Sequence, residues 1–382
     1  MNRGGELLGE GNYGCVFHPP IRCDGEKRRR SGVGKVVQQL EDALDEIKIG
    51  KKLFKIDPKG KFTNPMMSTC TIKKKNITQK DEDKIICGAT STLNNNTSYK
   101  QIIYKHKGVD LSVSESIQVK HFYNLALGLK LFQENNLCHR DIKEENILDL
   151  GKRYVFIDFG LSCKLDEVYS MENSSLLLHP YIYYPPEFKI YAMMNELLEL
   201  DDEYLNNTEE LVEDIFQQLE DSGYFDQYAQ YKSDLKDVGV YKNRRGDIYN
   251  AIHAIVNDTI GTNMSSTNMK KYYKKLAMKA DVFSLGIVMF LMTANNEELS
   301  LNEKEQFEKI IKGCIHMNVF ERSSVDDLIM KFKQFLGKTK IPQHCTKHFS
   351  LETLKSLAKK HNMKVSGNKQ QLYDRLSTHL KI

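Results

Sequence analysis

The chain lacks the marks of several common protein classes. Eight cysteines occur among 382 residues, yet no two form a CxxC pair. The nearest approach to a metal cluster, HCTKH (His344, Cys345, His348), has no second half. Scattered, reduced cysteines in a cytosolic or nuclear setting are therefore expected. The opening stretch MNRGGELLGEG has no apolar signal core, which implies a protein that is not secreted. The NNT sequon at Asn95 then carries no meaning. No run approaches the roughly 18 apolar residues of a membrane span, so no membrane partner is expected. Internal repeats are absent. A net charge of only +4 leaves no global field that would point to nucleic acid.

What is present is an ordinary soluble composition, 40% apolar and 28% charged. The length leaves room for two or three domains of roughly 100–200 residues each. Charge is unevenly placed. From Ile341 onward eight basic residues face two acids, a net +6, so the rest sums to −2.

Short β-like runs fill the first hundred residues (Leu7–Leu8, Cys15–Phe17, Lys35–Val37, Ile102–Tyr104), with one helical stretch near 40–55. The polar region from Lys73 to Ser98 reads as an exposed insertion or a hairpin tip. Next, SESIQVKHFYNLALGLKLFQENN sets Phe122, Leu125, Ala126, Leu129 and Phe132 on one helical face, with Ser114 as its N-cap. NILDLGKRYVFIDFG reads as two strands around Gly151–Lys152. Residues 189–278 have helical periodicity. Asp281 to Thr293 is apolar on nearly all sides, as a buried helix is.

Four motifs carry chemistry. In LGEGNYGCVF, Gly9, Gly11 and Gly14 are spaced G-x-G-x-x-G-x-V, with Val16 completing the pattern. Glycine lets backbone approach a phosphate closely, and β-like runs on both sides argue against a dinucleotide fold. Lys35 lies in an apolar run and needs an acid to aim it at phosphates. Glu46 is the choice and Glu41 the fallback. In HRDIKEENIL, Asp141 can orient a hydroxyl nucleophile, Lys143 can neutralise the transferred phosphoryl, and Asn146 can hold a metal. In IDFG, Asp158 is the second metal ligand.

In this order the motifs resemble those of a eukaryotic-type protein kinase. The resemblance extends to YPPE (Tyr184 to Glu187), to DVFSLG with Asp281 bracing the catalytic loop, and to Arg322 as partner of Glu187. It implies an α+β, bilobal fold with a β-rich first lobe and a helical second lobe. The kinase domain would span 1–338, with a helical insertion at about 189–278. It implies ATP and Mg²⁺ as cofactors and a protein as substrate. ATP would be held by Leu8, Gly9, Glu10, Gly11, Asn12, Tyr13, Gly14, Cys15, Val16 and Lys35. At the hinge, Ile103 would guard the adenine pocket, Tyr104 to His106 would offer backbone bonds, and Asp110 would lie near the ribose. Lys143 is similar to the serine/threonine group. Arg140 is the type that pairs with a phosphorylated activation loop, where Ser170, Ser174 and Ser175 are candidate sites.

Three departures stand out. Pro180 occupies the place of the threonine usual before A-P-E. The polar insertion CDGEKRRRSG delays the lysine, and Glu187 to Asp281 is far longer than usual. The short N-terminus, HPYIYYPPE and the long helical insertion resemble kinases of large nucleocytoplasmic DNA viruses such as iridoviruses and mimivirus relatives. That implies the cytoplasm or nucleus of a host cell, or a virion. The tail, residues 345–382, reads as helix, loop, helix. Leu351, Leu354 and Leu357 line one helix, Leu372, Leu376 and Leu380 the other, and Asn368 with Gln371 forms a capping box. Its spacing resembles a SAP motif, which implies duplex DNA as a partner through residues 350–380. A pseudokinase scaffold binding nucleic acid and a small-molecule phosphotransferase are the competing readings. Lys35, Asp141, Asn146 and Asp158 together weigh against the first, and the glycine loop with D-F-G weighs against the second.

Overall fold

The computed structural model describes residues 6–11, 14–26, 31–37, 39–73, 98–114, 116–169, 181–200, 202–225, 244–260, 266–293 and 300–337, and in the tail 355, 358–359, 364–369, 371–372 and 375. The chain divides into two compact units, Met1–Met330 and Lys331–Ile382.

The first unit begins with an antiparallel sheet. Its strands are β1 (Glu6–Gly11), β2 (Gly14–His18), β3 (Val33–Val37), β4 (Met66–Lys73) and β5 (Ser98–Tyr104), in spatial order β1-β2-β3-β5-β4. Side chains alternate between faces with period two. One face gathers Cys15, Phe17, Val36, Ile72 and Tyr99 with Ile21. The other packs Val37 and Ile102 against Ala43 and Ile47 of helix α1 (Leu40–Ile56). That helix buries Ala43, Glu46, Ile47, Gly50 and Leu53, a stripe of three- and four-residue steps. Glu41 and Asp42 in its first turn and Lys55 in its last suit the helix dipole.

The scattered cysteines do not all stay reduced, contrary to expectation. Cys23 and Cys70 form a disulfide with Cα atoms 5.8 Å apart, and Cys15 is disulfide-bonded as well. Sequence separation of 47 residues hides the pairing. The loop after β2 lies along β4, where the Asp24 amide donates to the Thr71 carbonyl at 2.9 Å. Cysteine spacing is thus no argument for a reducing compartment.

The sheet is followed by β6 (Val109–Asp110), helix α2 (Phe122–Glu134) and the hairpin β7 (Ile147–Asp149) and β8 (Tyr154–Phe156), which pairs with β6. Gly151, with φ of 76°, makes the expected turn. Helix α2 starts later than its sequence suggests, and Ser114 does not cap it. The Ser114 hydroxyl donates to Asp149 at 3.2 Å, and the Gln118 amide donates to the Tyr154 hydroxyl at 2.6 Å. Tertiary bonds to the hairpin hold that segment out of the helix.

Among the described residues, the long region after Glu187 forms helices, as its periodicity indicates: α3 (Pro186–Leu200), α4 (Thr208–Asp221), α5 (Arg244–Ile260) and α6 (Ser266–Ala277). Helices α4 and α5 share a core of Leu211, Val212, Ile215, Ile248, Ile252 and Ile255, all fully buried. Helix α7 (Ala280–Thr293) is buried at every residue from Ala280 to Phe290. Among the described residues, Lys271–Thr293 is long and apolar enough to cross a membrane. Most of that stretch is buried within the structure, as in a core helix. Helix α8 (Leu301–Cys314) opens on a Ser300–Glu303 capping box.

In the second unit, the Asn368 amide donates to the Gln371 side chain at 3.0 Å, and the Gln371 amide donates to that of Asn368 at 2.9 Å. This is the capping box read from sequence. Ala358 and Leu372 are buried. Leu351, Leu354, Leu357, Leu376, Leu380 and the HCTKH cluster lie outside the described residues.

Candidate active site

The loop HRDIKEEN is held from below by one carboxylate. Asp281, at the start of α7, accepts the amides of His139 at 2.7 Å and Arg140 at 3.0 Å. The His139 ring lies 4.5 Å from that of Phe159, and its Nε2 is 3.0 Å from the Ile157 carbonyl. Arg140 and Asp158 have φ of 67° and 56°. Such conformations cost about 1–3 kcal/mol each and persist where surroundings enforce them, as at functional sites.

Asn146 donates through Nδ2 to the carbonyl of Asp141 at 2.8 Å and to its Oδ2 at 2.7 Å. Lys143 Nζ lies 3.9 Å from the same Oδ2. Pairing of Ile147 with Phe156, and of the Ile157 amide with the Asn146 carbonyl at 3.0 Å, brings Asn146 and Asp158 to the same end of the hairpin. The expected metal ligands are therefore neighbours. One amide and one carboxylate are hard oxygen donors, and magnesium takes one or two carboxylates plus substrate phosphates. The donor set fits that ion. Among the described residues, no cluster of three or more His, Cys, Asp or Glu could hold a metal without such help.

Lys35 joins the two parts of the unit. Its Nζ is 3.0 Å from Glu46 and 2.9 Å from Asp158. Glu46, on the buried stripe of α1, is thus the partner, and Glu41 points to solvent. Burial pulls the Lys35 ammonium down, but Glu46 and Asp158 outweigh it and hold it well above its ordinary value. Burial would raise the Asp158 carboxyl, but Lys35 beside it carries it below its ordinary value. Asp158 thus adds stability above its ordinary value of about 3.9, lost as pH falls through its lowered one. Lys35 adds stability below its ordinary value of about 10.4, lost as pH rises through its raised one. Lys35 and Asp158 keep their charges throughout the neutral range.

The glycine loop is the β1–β2 hairpin, with Gly9 opposite Val16 and Gly11 opposite Gly14. Around Gly9 a Cβ would meet nothing within 4 Å, so space is open for a ligand. At Gly14, φ is 156° and a Cβ would fall 2.0 Å from the Val36 carbonyl oxygen, so close approach of β3 requires that glycine. Leu8 is half-exposed at the start of the hairpin, Glu10 and Cys15 lie along it, and Val16 pairs with Lys35 on β3. Asn12 and Tyr13 lie outside the described residues.

The hinge expectation needs correction at two positions. Ile103 pairs with Gly34, on the face opposite Lys35, because strand side chains alternate. Tyr104 lies on the Lys35 face instead, and its hydroxyl donates to Glu46 at 2.6 Å. Burial, then Glu46, pushes that phenol well above its ordinary value. His106 cannot offer its backbone to adenine. Its amide donates to Asn64 Oδ1 and its carbonyl accepts from Asn64 Nδ2, both at 2.9 Å. Nothing in sequence spacing points to Asn64. Asp110 lies on β6 and accepts from the Ser112 hydroxyl.

Arg322 meets Glu187 in a bidentate pair at 2.5 and 2.7 Å, as the motifs suggest. Ahead of Glu187, the Tyr183 hydroxyl donates to Glu144 and the Tyr181 hydroxyl to Asp141 Oδ1 at 3.4 Å. Sequence reading missed both. Ser170, Ser174, Ser175 and Pro180 lie outside the described residues.

Comparison with known families gives two matches. A family model described as protein tyrosine and serine/threonine kinase matches residues 3–197. A SAP domain model matches residues 346–381. No curated protein matches the chain.

Proposed function

Because the chain belongs to the protein tyrosine and serine/threonine kinase family, we propose that it transfers the terminal phosphoryl group of ATP to serine or threonine hydroxyls of a protein. The observation that carries this is the meeting of Lys35 with Glu46 and Asp158, and of Asn146 with Asp141, with Asn146 and Asp158 at the same end of the β7–β8 hairpin. Phosphoryl transfer needs positioned phosphates, a held metal and an aligned nucleophile more than covalent help. Asp141 would accept the substrate hydroxyl's hydrogen bond and orient its oxygen. Lys143 would lie against the transferred group. Lys35, fixed by Glu46, would hold the phosphates under the glycine hairpin. Magnesium, held by Asn146 and Asp158, would supply positive charge to the phosphates. Lys143 in the catalytic loop supports hydroxyls of serine and threonine as acceptors.

The SAP domain extends the proposal to duplex DNA, bound through residues 350–380 and tethering the kinase to it. Lys355, Lys359, Lys364 and Arg375 are basic groups of that segment. With three to four phosphates neutralised, log affinity should fall against log salt with a slope of about −3 to −4. A salt titration of the full chain against its Lys355→Glu/Lys359→Glu/Lys364→Glu variant tests this. An unchanged slope would reject the DNA reading. A viral origin and a host-cell or virion location are the remaining parts of the proposal, resting on the long insertion and the segment before Glu187.

The kinase reading is tested by Asp141→Asn. Nucleotide affinity should persist, while single-turnover transfer to casein or myelin basic protein falls by three or more powers of ten, about 4 kcal/mol of barrier. Near-normal transfer by the variant would sink the assignment. Absence of transfer in the wild type would favour the pseudokinase scaffold.

A further inference from the structure

Asp141 meets a donor at each of its two carboxylate oxygens. Its Oδ2 accepts from Asn146 at 2.7 Å. Its Oδ1 accepts from the Tyr181 phenol at 3.4 Å. A carboxylate held at one oxygen can still rotate about its Cβ–Cγ bond. Donors on both oxygens, from two different segments, fix its plane.

Tyr181 is itself well anchored. Its ring lies 5.1 Å from that of Tyr183 and 4.9 Å from that of Tyr184. Its carbonyl accepts the Tyr184 amide at 2.9 Å. The Tyr183 hydroxyl donates to Glu144 in the catalytic loop, and the Tyr183 carbonyl accepts from Ser284 of α7 at 2.7 Å. The segment is thus clamped between the loop it serves and the core helix beneath it. Burial and then the Asp141 charge push the Tyr181 phenol well above its ordinary value, so it remains a protonated donor at any working pH.

We propose that Tyr181 is a positioning residue for phosphoryl transfer, its hydroxyl supplying Asp141 with a second donor, on the oxygen that Asn146 does not hold. The proposal rests on the kinase reading above. Tyr181 acts through Asp141, by fixing the direction in which the remaining lone pair of Oδ1 meets an incoming hydroxyl. Small misplacements of such a group cost rate, because the reacting atoms must be aligned at close range.

The test uses the full chain with radiolabelled ATP and casein or myelin basic protein, each varied in turn. Tyr181→Phe removes one oxygen and keeps the ring packing. It should lower kcat about tenfold and leave the KM for ATP and the melting temperature unchanged. Tyr181→Leu, which also removes the ring, should lose at least as much. Wild-type kcat in Tyr181→Phe would overturn the proposal, and if Tyr181→Leu alone is impaired the ring packing matters and the hydroxyl does not. A loss confined to the KM for the protein substrate would also overturn it, by making Tyr181 a docking residue. So would phosphate found on Tyr181 after incubation with ATP alone, since a phosphorylated oxygen has no hydrogen to donate. Failure of the kinase reading looks different, because the wild type itself would then transfer nothing.

Discussion

Two ion-paired clusters in this protein pair cations with carboxylates to opposite ends. Glu187 and Arg322 are both fully buried, with one acid for one base. The guanidinium has further partners in the His316 carbonyl at 3.0 Å and the Phe283 ring at 4.9 Å. In the cleft, Lys35 serves two acids, Glu46 and Asp158, and the Asp158 side chain is 33% exposed. The core pair is balanced and closed. The cleft cluster is one positive charge short and opens to solvent. A site left with excess carboxylate and an outward-facing oxygen is suited to a cation and the phosphates that accompany it. A sealed, neutral pair is suited to holding α3 against the rest of the helical part.

The comparison breaks most visibly at Arg322. Replacing it by methionine keeps bulk and leaves Glu187 buried without a partner. Losing one member of a buried pair costs about 3–5 kcal/mol. Urea unfolding of Arg322→Met should show a loss of that size, and the double variant Arg322→Met/Glu187→Leu should regain part of it. A single-variant loss below about 1 kcal/mol would mean that the pair is not sealed as described. The catalytic groups are untouched, so activity should fall only as far as the folded fraction does.

Both clusters were legible in the sequence, for different reasons. Lys35, Asp141, Asn146, Asp158, Glu187 and Arg322 are marked by short motifs whose spacing is tied to local backbone geometry. Sequence spacing alone does not fix a register that separates Glu46 from Glu41. The structure supplies that register, since only the stripe of Ala43, Glu46, Ile47 and Gly50 faces the sheet. The hinge was misread because strand alternation cannot be phased without knowing that Lys35 lies opposite Ile102. Asn64, Tyr181 and the Cys23–Cys70 bond were out of reach for a common reason. Each depends on residues 40 or more positions apart in the chain meeting in space. The helical character of α4 and α5 was plain from periodicity alone, because each buries one stripe.

A smaller effect sharpens the same contrast. If the cleft cluster serves chemistry, breaking it should cost rate more than stability. Lys35→Met should lower kcat about a hundredfold, equivalent to about 2.7 kcal/mol of barrier, and lose less stability in urea than Arg322→Met. Glu46→Gln keeps the shape of its side chain and removes its charge. Lys35 would then keep Asp158 as its only acid, and the Tyr104 hydroxyl would face an amide in place of a carboxylate. A loss of about tenfold is expected, or about 1.4 kcal/mol. Because Glu46 acts by holding Lys35, the double variant should be no slower than Lys35→Met alone, the non-additivity of residues in one network. Fully additive losses would mean that the two residues act separately. A rate that falls with Glu41→Gln and not with Glu46→Gln would assign the lysine to the wrong acid, and with it the register of α1 against the sheet.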